Sequence, residues 1–236
     1  MTSNAELALK LIKAWRFFFD QGLIDGFGHI SVRTADPDRI MISRHNLGRD
    51  AKTDDFVVVD FDGNQIGTSA PLPGELPIHL EVMRGRPDVG SVAHLHNTYA
   101  TSFTMSEPEL RPTYFPAAIF RDGIPTHPDS RLINNRERAM PLVETLGSRR
   151  AALLKAHGVV VTGRDVEEMV ACVFILEDNA RRTWIAGSMG RIEYLSDEAM
   201  AEIECEILQN RGPFRRIWAL CESHYDTTLR GTQRSG

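Results

Sequence analysis

The sequence predicts an α/β protein in which helices cover a central sheet. Three observations predict it. Strand-like apolar runs concentrate in the early part of the chain. Stretches with apolar residues at helical spacing flank and follow them. Turn and breaker residues punctuate both kinds of run. The 236 residues suffice for one substantial domain, expected to span 1–236.

The first element reads as a helix. Leu7, Leu11, Trp15, Phe18 and Phe19 recur on one face, Ser3 with Glu6 makes a capping box, and Gly22 is a terminator. Strands follow at 29–33, 39–43 and 56–59, with a hairpin turn at Asp62-Gly63. Pro71-Leu72-Pro73-Gly74 breaks the chain before a helix from Glu75 to Arg84, which Arg86-Pro87-Asp88 ends. The run Val89–Ala93 then reads as a buried strand leading into His94, and a helical turn covers 98–104. Residues 105–130 are rich in proline and resist assignment; so long a loop in a compact domain is often functional. A helix over 135–146 precedes an apolar run, Ala151–Ala156, ended by His157 and turning at Gly158 into Val159-Val160-Val161. Asp165 with Glu168 starts another helix, whose apolar face is Val166, Met169, Val170, Val173 and Leu176. Helices near 197–210 and 213–224 finish the chain.

Charge and composition exclude several functions. The net charge of −5, with no basic run, gives no electrostatic reason to expect nucleic acid or an anionic membrane as partner. The N-terminus lacks the pattern of a signal peptide, and no apolar stretch reaches the ~18 residues of a membrane span. Cys172, Cys205 and Cys221 are odd in number and far apart, which fits reduced thiols in a cytoplasmic protein. Gly26-x-Gly28 alone is no dinucleotide fingerprint.

The chemistry concentrates in histidines. His94 and His96 are two apart on one strand, so both imidazoles point to the same side and can share an ion against a rigid backing. His157 is a third candidate, and Gly158 permits close backbone approach or an unusual φ at its edge. Glu75 stands where Pro73-Gly74 positions a helix start. Its carboxylate can ligate metal, act as acid/base, or simply favour the helix N-terminus through the dipole. His79, one turn on, can orient Glu75 or the ligand shell, or be an ordinary helix residue. Three imidazoles and a carboxylate suit one divalent ion per subunit, zinc, manganese or iron.

These residues, in this order, resemble the class II aldolase/adducin family. The matching stretches are Gly28–Arg33 (GHISVR), Gly74–His79 (GELPIH), Arg86–His96 (RPDVGSVAHLH) and Leu154–Gly163 (LKAHGVVVTG), and the likeness spans roughly residues 5–190. The resemblance implies a three-layer αβα sandwich with a mainly antiparallel central sheet. It implies His94, His96 and His157 as metal ligands, with Glu75 as an acid/base that also ligates metal when substrate is absent. It further implies a homotetramer with active sites between subunits. The family's sugar-phosphate aldolases bind phosphate with an asparagine where His29 stands and a serine pair where Pro73-Gly74 stands. Their replacement argues against a phosphorylated sugar. The GHISVR form, with Gly123–His127 and Asp129–Ile133, is similar to the family's decarboxylase-type branch, which acts on hydroxylated pyridine or phthalate dicarboxylates.

The expected function is therefore a metal-dependent carbon–carbon lyase, a decarboxylase of a hydroxylated aromatic (di)carboxylate. Glu75 and His79 are the expected catalytic residues. Arg33, Arg49 and Lys155 are candidate carboxylate anchors, with arginine favoured by bidentate geometry, or else solvated surface charges. His29 is positioned to donate a hydrogen bond to substrate, and by the family architecture Tyr225 would reach a neighbouring subunit's site. An aldolase on a non-phosphorylated hydroxy-keto compound needs the same metal and carboxylate. A non-catalytic adducin-like interaction domain would instead predict a broken ligand set, and all four positions are intact.

Overall fold

Among the described residues, eight strands form one sheet covered by helices on both faces. The computed structural model describes residues 2–233 except Asp25 and Thr68. The strands are β1 (His29–Arg33), β2 (Arg39–Ser43), β3 (Phe56–Asp60), β4 (Gln65–Ile66), β5 (Ser91–Leu95), β6 (Thr126–His127), β7 (Ala151–Leu154) and β8 (Gly158–Gly163). Their spatial order is β4-β3-β2-β1-β5-β8-β7-β6, and all pairings are antiparallel except β6 with β7. The helices are α1 (Asn4–Asp20), α2 (Leu76–Gly85), α3 (Thr98–Phe103), α4 (Arg136–Leu146), α5 (Val166–Met189), α6 (Asp197–Asn210) and α7 (Gly212–Gln233). No helix among the described residues is long and apolar enough to cross a membrane.

Period-two alternation divides the core into two layers. Ile30, Val32, Met41, Ala93, Leu95, Leu153, Val159 and Val161 face a core shared with α1 and α5. Ile40, Ile42, Val57, Val59, Val92, Leu154 and Val160 face the other core, shared with α2 and α4. With both faces covered, the strands read as continuous apolar runs despite their antiparallel pairing. The result is a three-layer αβα sandwich with a mainly antiparallel sheet, as the sequence resemblance implied.

Local signals set the helix boundaries. Ser3 and Glu6 form the capping box of α1, while Asn135, Asp165 and Ser196 cap α4, α5 and α6 by accepting backbone N–H bonds. Trp15 is buried, and its indole N–H donates to the Gly48 carbonyl at 2.9 Å.

Three expectations need correction. Residues 105–130 are not one irregular loop: they contain a 3-10 helix, Phe115–Phe120, and the short strand β6. Ala117–Phe120 are buried there, so tertiary packing outweighs the local proline breaks. Strand β7 ends at Leu154, so His157 lies in a turn and Gly158 begins β8; Ala156 takes φ +50°, and the His157 N–H donates to the Leu154 carbonyl. The last helix begins at Gly212 and runs on to Gln233.

Two glycines give a stability test. A Cβ on Gly90 would stand 2.2 Å from the Arg164 carbonyl oxygen, whereas one on Gly187, exposed in α5, meets only Ile192 at ordinary contact distance. Gly90→Ala is expected to cost about 1–3 kcal/mol, and Gly187→Ala to add about 0.5–1 kcal/mol. Urea unfolding of both variants reads the opposite signs.

Candidate active site

Strand ends and a helix start meet at one end of the sheet. His94 is the fourth residue of β5, His96 lies one residue past its end, His157 immediately precedes β8, and Glu75 occupies the N-cap of α2. Each offers one ligand atom, and these four atoms lie within 4.8 Å of one another. The pairing of β5 with β8 sets Leu95 opposite Val159. Gly158 permits this closeness: a Cβ there would lie 2.4 Å from the Leu95 carbonyl oxygen and 2.8 Å from His96 Cδ2. Its sequence role is therefore close approach, since its φ is not left-handed.

The hydrogen bonds define which atoms face inward. His94 Nδ1 lies 3.1 Å from the Val159 carbonyl, which can only accept, so Nδ1 carries the proton. The Nε2 of neutral His94 is then an acceptor, yet it stands 3.2 Å from Glu75 Oε2 and 3.2 Å from His96 Nε2. His157 Nε2 lies 3.6 Å from the same carboxylate oxygen. Acceptor facing acceptor at such distances calls for a shared cation, so the donor set fits a divalent ion. Glu75 Oε1 accepts the Ile133 N–H at 2.8 Å, which turns Oε2 toward the histidines. The Glu75 side chain caps no backbone amide of its own helix, so it is used for the site and not for the helix end. Burial pushes its carboxyl upward, but the adjoining His157 and His94 rings and the Ile133 N–H outweigh this and hold it well below the usual carboxylate range.

A second polar row lies beneath the cluster. His29 sits opposite His94 in the β1–β5 ladder, with its Nε2 4.0 Å from Glu75 Oε2. Its Nδ1 is 2.6 Å from His79 Nε2, and His79 Nδ1 is 2.6 Å from Ser31 Oγ. Both histidines are buried. Desolvation, with neighbouring histidines, holds His29 well below its ordinary value and His79 down to about 3. His79 thus has both ring nitrogens engaged and holds His29; it does not join the four-atom cluster.

The other expected substrate contacts divide. Arg33 ends β1, four residues from His29, and its guanidinium donates to the carbonyls of Met83 and Val89. Arg49 pairs with Asp20 at 2.6 Å. Tyr225 lies under the cations of Lys13 and Arg16. The structure brings none of these three to the cluster within this chain. Within this chain Arg33 and Arg49 spend their charge on these partners. Lys155, two residues before His157, instead lines a cavity of about 730 Å³ with Arg111, Arg121 and Arg149.

Sequence reasoning missed several supports. Ser31 shares a strand face with His29, and that period was available in the sequence. Ile133 and Val159 act through backbone atoms and leave no residue-type signal. Glu177, far away on α5, accepts the Tyr99 and Ala100 N–H groups at 2.8 and 2.9 Å and pins the chain just after His96. The Phe27 ring stacks on His96, with centroids 5.7 Å apart.

Fold and cluster together define a carboxylate–histidine centre on a three-layer sandwich. The family model described as "Class II Aldolase and Adducin N-terminal domain" matches residues 9–184, and the chain belongs to that family. A 3,4-dihydroxyphthalate decarboxylase of Rhodococcus jostii (strain RHA1) is 31% identical over 193 residues, covering 75% of this chain and 79% of the relative. A 3-oxo-tetronate 4-phosphate decarboxylase of Haemophilus influenzae is 29% identical over 228 residues, covering 90% and 100%. Among solved structures, L-fuculose 1-phosphate aldolase from Glaciozyma antarctica PI12 superposes with a TM-score of 0.79 at 22% identity, over 94% of this chain and 92% of that one. The chain is an enzyme of the lyase type, a decarboxylase or aldolase. Class II aldolases use a divalent metal, and this donor set suits one.

His96→Ala should purify without stoichiometric metal by elemental analysis, and Gly158→Ala should weaken metal affinity by about 10–100-fold by displacing a ligand. Retention of full metal by His96→Ala would remove that residue from the ligand set. A pH dependence also follows from His79. Its folded value near 3 lies below the unfolded value of about 6.5, so the unfolded chain binds more protons between them. Stability of chelator-treated protein should therefore fall as pH falls through that window, by up to about 1.4 kcal/mol per pH unit for this histidine. His79→Asn should flatten the urea-midpoint profile between pH 4 and 6.5.

Proposed function

We propose that this protein is a metal-dependent decarboxylase of a hydroxylated aromatic dicarboxylate of the dihydroxyphthalate or hydroxypyridine dicarboxylate type. The observation that carries the reading is Glu75 Oε2 standing among three imidazoles while Oε1 is held by Ile133. Three dihydroxyphthalate decarboxylases, 28–31% identical to this chain, support the substrate class. Relatives named for phosphorylated substrates share the fold, so the choice falls to local residues. Before Glu75 stand Pro73 and Gly74, which offer no side-chain hydroxyl. Each hydrogen bond so lost to a charged phosphate is worth about 1.5–3 kcal/mol.

Breaking the bond to a carboxylate leaves an electron pair on the ring carbon. His94, His96 and His157, with Glu75 when substrate is absent, would hold a divalent cation, which would supply Lewis acidity as an electron sink. Glu75, ionised and aimed inward, accepts the substrate hydroxyl proton and returns it to the carbon that loses CO2; solvent then restores the hydroxyl proton. His29 Nε2, 4.0 Å from that carboxylate, hydrogen-bonds the substrate carboxylate or hydroxyl, and His79 with Ser31 holds its ring. Lys155 is the remaining cationic anchor close in sequence to a ligand. The reading includes a homotetramer in which Tyr225 serves a neighbouring copy's site.

The purified enzyme should release one CO2 per molecule of 3,4-dihydroxyphthalate or a related ortho-hydroxy aromatic dicarboxylate. Glu75→Gln should keep its metal yet lose about 10²–10⁴-fold in kcat. An aldehyde released from a hydroxy-keto compound, with no CO2 from any aromatic acid, would establish the aldolase alternative instead.

A further inference from the structure

We propose that Phe27 is the ring platform that selects a planar aromatic acid over an aliphatic one at this site. The inference deepens the decarboxylase reading and rests on it. Phe27 lies between α1 and β1, two residues before His29. It is 67% exposed, although it is a large apolar ring in a chain that buries Phe17, Phe18 and Phe120 almost completely. An isolated exposed phenylalanine needs no explanation. This one does, because its ring stacks on His96, a member of the four-atom cluster, with centroids 5.7 Å apart and planes 23° apart.

The backbone fixes that placement. Gly26 and Gly28 on either side have φ of +121° and +114°, a region that L side chains rarely adopt. A Cβ on Gly28 would lie 2.8 Å from the His94 carbonyl oxygen, so the chain is pressed onto β5 at the next residue. Leu23 and Ile24 are buried and anchor the approach from α1. The ring is therefore held at the mouth of the cluster by a backbone that few other sequences permit.

A ring beside a chelating site discriminates by shape and electronics. A planar acid that offers its hydroxyl and carboxylate to the cluster carries its aromatic ring close behind those oxygens. Offset or tilted stacking on Phe27 then adds affinity that an aliphatic hydroxy acid with the same two oxygens cannot gain. This role concerns binding discrimination and requires no proton movement.

The test uses the metal-loaded enzyme and two probes bearing adjacent hydroxyl and carboxylate groups, 2,3-dihydroxybenzoate and glycolate, with Kd read by calorimetry. Phe27→Ala should weaken the aromatic probe about fivefold to tenfold and leave glycolate within about twofold. Phe27→Leu, which keeps apolar bulk without a ring, should behave as Phe27→Ala, and Phe27→Tyr as the unaltered enzyme. Circular dichroism and metal content should be unchanged in all three, since Phe27 is exposed and offers no ligand atom. Equal losses for both probes, no loss for the aromatic one, or full recovery by leucine overturns the platform. If the unaltered enzyme binds the aromatic probe and releases CO2 from a dihydroxyphthalate while Phe27→Ala binds that probe as tightly as the unaltered enzyme does, only the platform falls. If the metal-loaded enzyme binds no aromatic acid, both readings fall.

Discussion

The close approach of β5 and β8 at Gly158 is the contact on which the site depends. It brings the end of one strand, with His94 and His96, against the start of another, preceded by His157. The same ladder puts the Val159 carbonyl under His94 and so decides which nitrogen of that ring faces Glu75. A side chain at residue 158 would separate these parts by displacing either a backbone carbonyl or a ligand ring. The geometry of the cluster is thus a consequence of strand pairing, and the sheet supplies the rigidity that a functional site needs.

Such a concentration of polar groups is costly to bury, and the protein compensates group by group. Glu75, His29, His79 and His94 are all at most 7% exposed. Ile133, Val159 and Ser31 each satisfy one atom of this set, which offsets the desolvation that an unpaired group would suffer. The two histidines of the lower row stay neutral because burial and their neighbours disfavour a second positive charge. A cation held in the cluster above would then be the dominant local charge, with Glu75 as its anionic counterpart.

Shape and charge around this centre point in one direction. Pro73 and Gly74, just before Glu75, offer no hydroxyl donor for a phosphate, while an exposed aromatic ring lies against His96 of the cluster. The proposal of a flat, chelating acid rests on these two features. Arg33 and Arg49, attractive as anion anchors by residue type, are spent elsewhere, because β1 carries Arg33 to the opposite end of the strand and Asp20 claims Arg49.

The sequence by itself determined the α/β class, most element boundaries and all four members of the cluster. Strand periodicity, capping residues and the two-residue spacing of His94 and His96 are local properties, and local sterics and hydrogen bonding write them into the chain, whereas His157 and Glu75 joined them through residue type and the family resemblance. Phe115–Phe120 and β6 escaped because packing against other elements, not local preference, makes them regular. Only the tertiary structure decided the strand order, the inward atom of each ligand, the backbone partners Ile133 and Val159, the distant clamp from Glu177, and the fates of Arg33, Arg49 and Phe27. Those depend on contacts between segments up to 78 residues apart, and a backbone amide or carbonyl carries no signature in its residue type.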